Sequence, residues 1–368
     1  MNIIKTGGSL KLLAFSLVAV IVSLTVTVAV NGWQPPSSEG THEEESDKNS
    51  DSQKDDSGGD ENEIEEEEDV VDLTPKFYHH LTGLECKEID TLCIPYAFVI
   101  DSKSSSYGLS HSQIVVEIPV EDGLTRFLAI TSDIDSLGKI GSFDPTRDYI
   151  SDVSYLFGAN LFSYGRDDLF EYPILHSAKD TDLYLYQDSY YKEGTRYIFT
   201  NKNMIRDLQE SLKLKTTESN LENIFDFTAH GNRVKGIVGA NSVYLPFSAV
   251  NLTELKYDTS TSTYFMYKDK SLKTDPLTAT SAGFDNVFVL FADSLTYERA
   301  EGVQTVIETV FGGSGYYATG GKAIEIMWSV EDGRLVFKNL DGESLKINRG
   351  TSYIGYFKSS MTDSVIIK

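Results

Sequence analysis

Hydrophobic and polar positions divide this chain into three stretches. From Leu12 to Val30 the residues are mostly apolar and none is charged (LLAFSLVAVIVSLTVTVAV). From residue 39 to 72 the pattern inverts: acids recur throughout, only Lys48 and Lys54 oppose them, and apolar side chains are few. After Leu73, short apolar runs alternate with Gly, Asn and Asp turns, a spacing that predicts many strands and few helices.

The first stretch suits a membrane-spanning helix. At about 1.5 Å per residue it is about 28 Å long, close to the roughly 30 Å of bilayer hydrocarbon. Its β-branched side chains disfavour helix in water, but in lipid the backbone must satisfy its own hydrogen bonds, so helix is the expected form. Lys5 and Lys11 precede the run and no basic residue follows until Lys48, which places the amino end in the cytoplasm and the bulk of the chain outside. Ala29, between Val28 and Val30, makes a poor small-x-small cleavage site, so the run reads as an anchor and not a cleaved signal. No Cys precedes Cys86, which excludes ordinary N-terminal lipidation.

The acidic stretch holds most of the formal net charge of −24. It has too little apolar surface to offset chain entropy and is expected to be a disordered, self-repelling spacer. A cation-binding tail or a dock for a basic partner are the sharper alternatives. The remainder of the chain is acidic as well and has no basic stripe, which argues against a nucleic-acid partner.

In the folded part, Tyr96 to Asp101 (YAFVID), Gln113 to Ile118 (QIVVEI, running into Pro119) and Leu124 to Thr131 (LTRFLAIT, after Glu121-Asp122-Gly123) read as strands, the last two as a hairpin. Asn201 to Lys213 reads as a helix with Met204, Ile205, Leu208 and Leu212 on one face and Asn201 or Asn203 as its cap. Tyr149 to Leu161 is a weaker helix, interrupted by Gly158. Towards the C-terminus, Asn286 to Phe291, Ala323 to Val330, Arg334 to Asn339, Ser344 to Ile347 and Ser352 to Phe357 are separated by turns such as Glu331-Asp332-Gly333 and Asp341-Gly342. That pattern predicts an antiparallel meander. Gly302 to Phe311 fits either a helix face or a strand, and its β-branched content favours strand.

Catalytic signals are sparse. Cys86 and Cys93 are the only cysteines, and outside the cytoplasm their spacing permits a disulfide, which would stabilise by roughly 2–3 kcal/mol. A pair of unbonded thiols is the alternative. Zinc would need further ligands, for which His79 and His80 are nearest. No G-x-S-x-G elbow or H-E-x-x-H is present. Gly312-Gly313-Ser314-Gly315 resembles a dinucleotide fingerprint, but strand alternation follows it, so a glycine-bearing hairpin is expected. Glu117 and Glu121 flank a Pro-containing bend, with nothing to show that they face one another. Asn251-Leu252-Thr253 is a glycosylation sequon of a kind common by chance.

The string GLSHSQIVVEIPVEDGLTRFLAI (Gly108 to Ile130) is more specific. With LTGLE (Leu81 to Glu85), Lys139-Ile140-Gly141, Thr146-Arg147-Asp148-Tyr149 and the C-terminal GGSGYYATGGKAIEIMWSVEDGRL, it resembles the YerB-like family of bacterial cell-envelope proteins, whose function is unsettled. The resemblance implies two linked domains, an α/β N-terminal one at 75–220 and a mostly antiparallel β C-terminal one at 221–357. With the patterns read above, the expected organisation is an α+β chain: cytoplasmic residues 1–11, a transmembrane helix 12–30, a disordered acidic linker 31–74, these two domains and a tail 358–368. Two features depart from the family. A membrane helix stands where the family has a lipidated Cys, and the block after Lys139-Ile140-Gly141 keeps one arginine of two.

These readings imply a single-pass membrane protein whose main domain is extracellular, a non-enzymatic binding or scaffolding module that contacts wall polymer or another envelope protein. No cofactor is implied. The competing expectation is an envelope enzyme acting on a phosphate-containing glycan or lipid-linked substrate. The order of Asp101 at a strand end, then Arg126, then Arg147 is loosely similar to LytR-type glycopolymer transferases. By that resemblance Asp101 would hold a divalent cation and the two arginines would clamp phosphate. The plainer roles are a turn residue for Asp101, an exposed strand residue for Arg126 and a surface ion-pair partner for Arg147.

Overall fold

The Tyr96 to Thr131 region forms the strands its pattern predicts. They are β1 (Tyr96–Asp101), β2 (Ile114–Pro119) and β3 (Thr125–Thr131), buried along almost their full length. In this computed structural model residues 75–164, 181–182, 188–192, 195–228, 238–299 and 302–368 are described. The apolar run 12–30 and the acidic stretch lie outside them. No helix among the described residues is long and apolar enough to cross a membrane.

Helix α1 (Asp148–Leu156) stops earlier than the pattern suggests. Gly158 takes a left-handed φ of 60°, and Asn160 opens strand β4 (Asn160–Ser163), which pairs parallel with β1. Helix α2 (Lys202–Leu212) is capped by Asn201, whose side chain accepts from the Asn203 and Met204 N–H groups. Its inner face is Ile205, Leu208 and Gln209; Leu212, expected inside, is 52% exposed. These two are the only α-helices among the described residues, and the architecture is predominantly β.

The C-terminal half adds β5 (Ser242–Ser248), β6 (Asn251–Asp258), β7 (Thr263–Lys268), β8 (Asn286–Ala292), β9 (Gly312–Thr319), β10 (Lys322–Glu331), β11 (Arg334–Lys338) and β12 (Ser352–Lys358). Strands β9, β10 and β11 form the expected antiparallel meander, turning at Gly320-Gly321 and Asp332-Gly333. The glycines of Gly312 to Gly315 lie inside β9 and not at its turn. Ser344 to Ile347 makes isolated bridges instead of a strand. Ser294–Arg299 and Gly302–Ile307 form a separate hairpin, as the β-branched content favoured.

Strand β12 departs from the meander. It inserts between β8 and β2 and runs parallel to both, with Asn286 opposite Ser352 and Ser352 opposite Ile114. Six of its seven residues are buried, so it needs a neighbour on each side, which no hairpin edge offers. The result is one 11-stranded sheet, ordered Val238–Gly239, β10, β9, β8, β12, β2, β3, β1, β4, Thr181–Asp182, with β11 also on β10. Strands from both sides of position 220 are therefore neighbours in it. A 6-stranded sheet built on β5, β6 and β7 stands apart.

Alternation along the large sheet divides its side chains between two cores. Phe98, Val115, Phe127 and Tyr353 join Leu245, Leu255 and Met266 of the smaller sheet and Ile205 and Leu208 of α2. Val99, Val116, Leu128 and Ile354 join Ile150 and Val153 of α1 and Phe225 and Phe337.

Candidate functional site

In sheets with a parallel crossover, ligands sit beyond the carboxyl ends of the strands. The β1–α1–β4 unit has this form, and Asp101 ends β1 directly opposite Arg126 of β3. The Arg126 Nε donates to Asp144 Oδ2 at 3.0 Å. Arg147, just before α1, donates to both Glu121 oxygens, at 2.8 and 3.4 Å. Asp144 is fixed by its backbone, donating to Val99 O and accepting from the Tyr164 N–H. Burial pushes its carboxyl above the usual range, Arg126 and Arg147 pull it down, and Asp101 adds to the rise. Asp101, Arg126 and Arg147 thus all act electrostatically on one carboxylate, Asp144, which no sequence motif marks. Asp101 Oδ1 accepts the Lys103 N–H at 2.8 Å, the turn role. Both arginines are largely buried and face carboxylates of their own chain.

Glu117 and Glu121 do not form a catalytic pair. Glu121 serves Arg147, whereas Glu117 points to the smaller sheet and is 0% exposed. Its Oε1 pairs with Lys268 Nζ of β7. Thr125 donates to the same oxygen at 2.6 Å; Thr253 and Tyr353 donate to Oε2 at 2.8 and 2.7 Å. This dry, fully partnered cluster joins β2, β3, β6, β7 and β12 and has no opening for a substrate. Asn251 of the sequon donates to Gly123 O and Thr125 Oγ1 and is 1% exposed, so the folded chain keeps it from a glycosylating enzyme.

An open cleft lies elsewhere. A cleft of about 500 Å³ is walled by His79, the Glu88–Leu92 turn with Asp90, Cys93, the start of β1 at Tyr96, the loop after β3 (Ser132 to Asp135), α2 (Arg206, Gln209) and Thr216-Thr217. Backbone bonds from Ile94 N to Thr216 O and from Glu218 N to Leu92 O hold two of these walls together. The Tyr96 hydroxyl accepts from Gln209 Nε2 at 2.8 Å, and Gln113 Oε1 accepts from the Ser132 N–H at 2.8 Å.

The reactive-looking groups of this cleft are held in unreactive states. The Leu81 N–H donates to His79 Nδ1 at 3.2 Å, so the ring proton resides on Nε2 and is donated to Ser132 Oγ at 2.6 Å. A histidine that gives its proton to a serine cannot also take the serine's proton. Burial lowers the His79 pKa against the pull of Asp90 and Asp133. Burial and the same two carboxylates push the Cys93 thiol up, away from the thiolate a nucleophile requires. Cys86 and Cys93 are both free thiols, so the disulfide their spacing permits is not formed in this structure. His79 and His80 stack at 4.9 Å, and among the described residues no three His, Cys, Asp or Glu side chains gather as a metal site would need.

Two family models match the chain: the N-terminal domain of a protein family of unknown function, DUF3048, over residues 81–217, and the C-terminal domain of the same family over 243–354. The chain belongs to this family. It is 24% identical over 297 residues to a Bacillus subtilis (strain 168) protein named "Putative lipoprotein YerB", spanning 78% of this chain and 88% of that one. The crystal structure of the YerB protein from Bacillus subtilis superposes with a TM-score of 0.68 at 22% identity, covering 80% of this chain and 100% of that one. The shared fold is thus the two-sheet body described above. The matched N-terminal segment contains most of the cleft, from Leu81 to Thr217, with His79 just ahead of it.

Behind the cleft, His80 is buried with neither ring nitrogen hydrogen-bonded. Burial, with His79 beside it, pulls its pKa down to about 4. The unfolded chain takes up a proton near pH 6.5 and the folded chain only near 4, so stability is complete above 6.5 and falls as pH drops between them. The expected loss is about 3 kcal/mol between pH 7 and 4 from this residue. Urea unfolding at stepped pH should show it, and His80→Phe should flatten the curve. An unchanged slope in that variant rules His80 out as the cause.

Proposed function

We propose that this chain is a membrane-tethered extracytoplasmic protein whose folded body is a binding module of the cell envelope, with the His79–Arg206 cleft as its binding site. The observation that carries the reading is the state of that cleft. It is open and its polar walls are pre-set by hydrogen bonds, yet its serine, histidine and cysteine are each held away from nucleophilic chemistry. The name of the Bacillus relative supports a membrane-associated, external setting. The run Leu12 to Val30 supplies a helical tether in this chain, with the acidic stretch as spacer.

The enzymatic alternative through Asp101, Arg126 and Arg147 meets an obstacle. A phosphate entering there would have to compete with Glu121 for Arg147, at 2.8 Å, and with Asp144 for the Arg126 Nε, at 3.0 Å; the buried Arg126 Nη1 has no hydrogen-bond partner among the described residues, but the carboxylates on either side of it oppose an anion.

Sedimentation with purified bacterial wall sacculi tests the binding reading. The full-length chain in lipid nanodiscs is expected to co-sediment, and Asp135→Ala with Arg206→Ala to lower the bound fraction at least fivefold. Both side chains are exposed, 64% and 51%, so folding should be kept. Equal binding by the variant would remove the cleft from the proposal. Protease treatment of intact cells should digest the folded body; full protection would overturn the external placement.

A further inference from the structure

We infer that the cleft receives a neutral, hydroxyl-rich saccharide, an inference that rests on reading the cleft as a binding site. Its volume of about 500 Å³ falls within the roughly 300–1,000 Å³ of small-ligand sites. Its lining suits a ligand of mixed character better than an apolar one: Ile134 is the one aliphatic side chain among the lining residues, and polar and apolar atoms share the exposed surface about equally. The other lining residues present amides, carboxylates, hydroxyls, a guanidinium, the His79 imidazole and the Cys93 thiol. Planar groups of this kind have paired donors or acceptors spaced to meet adjacent sugar hydroxyls, each of which both donates and accepts.

The polar walls are also fixed before any ligand arrives. Tyr96 is held by Gln209 at its hydroxyl and by Phe98 and Phe162 against its ring. Gln113 is held by the Ser132 N–H, and Asp133 Oδ1 by the Asp135 and Ser136 N–H groups. A polyol gains little per hydrogen bond over water, so a rigid site that spends little entropy on ordering itself is what such a ligand requires.

Charge narrows the class. Asp90, Asp133 and Asp135 face the cleft against Arg206, which already pairs with Asp135, and Lys202, whose ammonium donates to Asp135 O at 3.0 Å from outside the lining. The resulting negative field disfavours phosphorylated sugars and uronates and leaves neutral glycans favoured.

Isothermal titration of the full-length chain in nanodiscs provides the test, with N-acetylglucosamine tetramer as the neutral probe and galacturonate tetramer as the anionic one. Binding of the neutral tetramer is expected, with a dissociation constant raised at least tenfold by Asp135→Ala with Arg206→Ala, and at least tenfold weaker binding of the acidic tetramer. A thermal unfolding midpoint unchanged in the variant guards against misfolding, and Tyr96→Phe supplies an independent change within the cleft. If sacculi bind in a cleft-dependent manner but the neutral tetramer does not, the saccharide class is wrong and the binding site stands. If neither binds through the cleft, both are wrong. Equal or tighter binding of the acidic tetramer also overturns the inference.

Discussion

Lys268→Met is expected to destabilise the folded chain by about 3–5 kcal/mol. The substitution leaves the Glu117 carboxylate at 0% exposure with three hydroxyl donors but no bonded counter-charge, Lys273 acting on it only from a distance. Removing one member of a dry ion pair costs more than the pair contributes, because the survivor keeps its desolvation penalty without the attraction that offset it. For a unit of this size the thermal midpoint should fall by on the order of 10 °C. Adding Glu117→Gln to Lys268→Met should recover part of the loss, a coupling of about 1–3 kcal/mol in a double-mutant cycle. Guanidinium unfolding of the four proteins measures it. A single-variant loss below about 1 kcal/mol would mean that water reaches the pair.

Gly315→Val should have an effect of similar size for a different reason. Gly315 lies opposite Leu290 where β9 meets β8, and a Cβ built there would stand 2.3 Å from the Val289 carbonyl oxygen. Gly313 repeats the approach, at 2.2 Å from Phe291 O. These obstacles are backbone atoms within a sheet, so no side-chain rotation relieves them and the strands must part. The expected cost is about 3 kcal/mol or more. Gly320→Ala is the comparison: its Cβ would meet nothing within 4 Å, and only its left-handed φ of 58° should cost, roughly 1–2 kcal/mol. Equal effects at the two positions would show that backbone conformation, and not the close strand approach, is why glycines occupy β9.

The legible parts of this fold share one property: their signal is local. QIVVEI and LTRFLAIT around Glu121-Asp122-Gly123 announce a hairpin, and Asn201 announces a helix start, because alternation, turn chemistry and capping all act within a few residues. The sheet of β5, β6 and β7 carries similar alternation, yet Pro246 within β5 and the polar residues between strands mask it. On α2, periodicity places Leu212 with the core, but the helix reaches past its neighbours there, and Gln209 is buried by its bond to Tyr96.

The candidate sites divide in the same way. Asp101, Arg126 and Arg147 can be read as one group because their segments follow one another within about fifty residues; that Asp144 and Glu121 engage the two arginines cannot. His79 stands near the cysteines in sequence as a metal candidate, but its partner Ser132 and the Arg206 across the cleft belong to distant segments.

Order along the chain was enough to establish the apolar run, the acidic stretch, the predominance of strands and the family, since each rests on composition or on contiguous motifs. Folding in three dimensions decided the rest: β12 entering parallel between β8 and β2, Lys268 meeting Glu117, and a cleft assembled from six separate segments. These depend on which buried surfaces find one another across long loops, and the energy of such contacts leaves no periodic mark on the residues that make them.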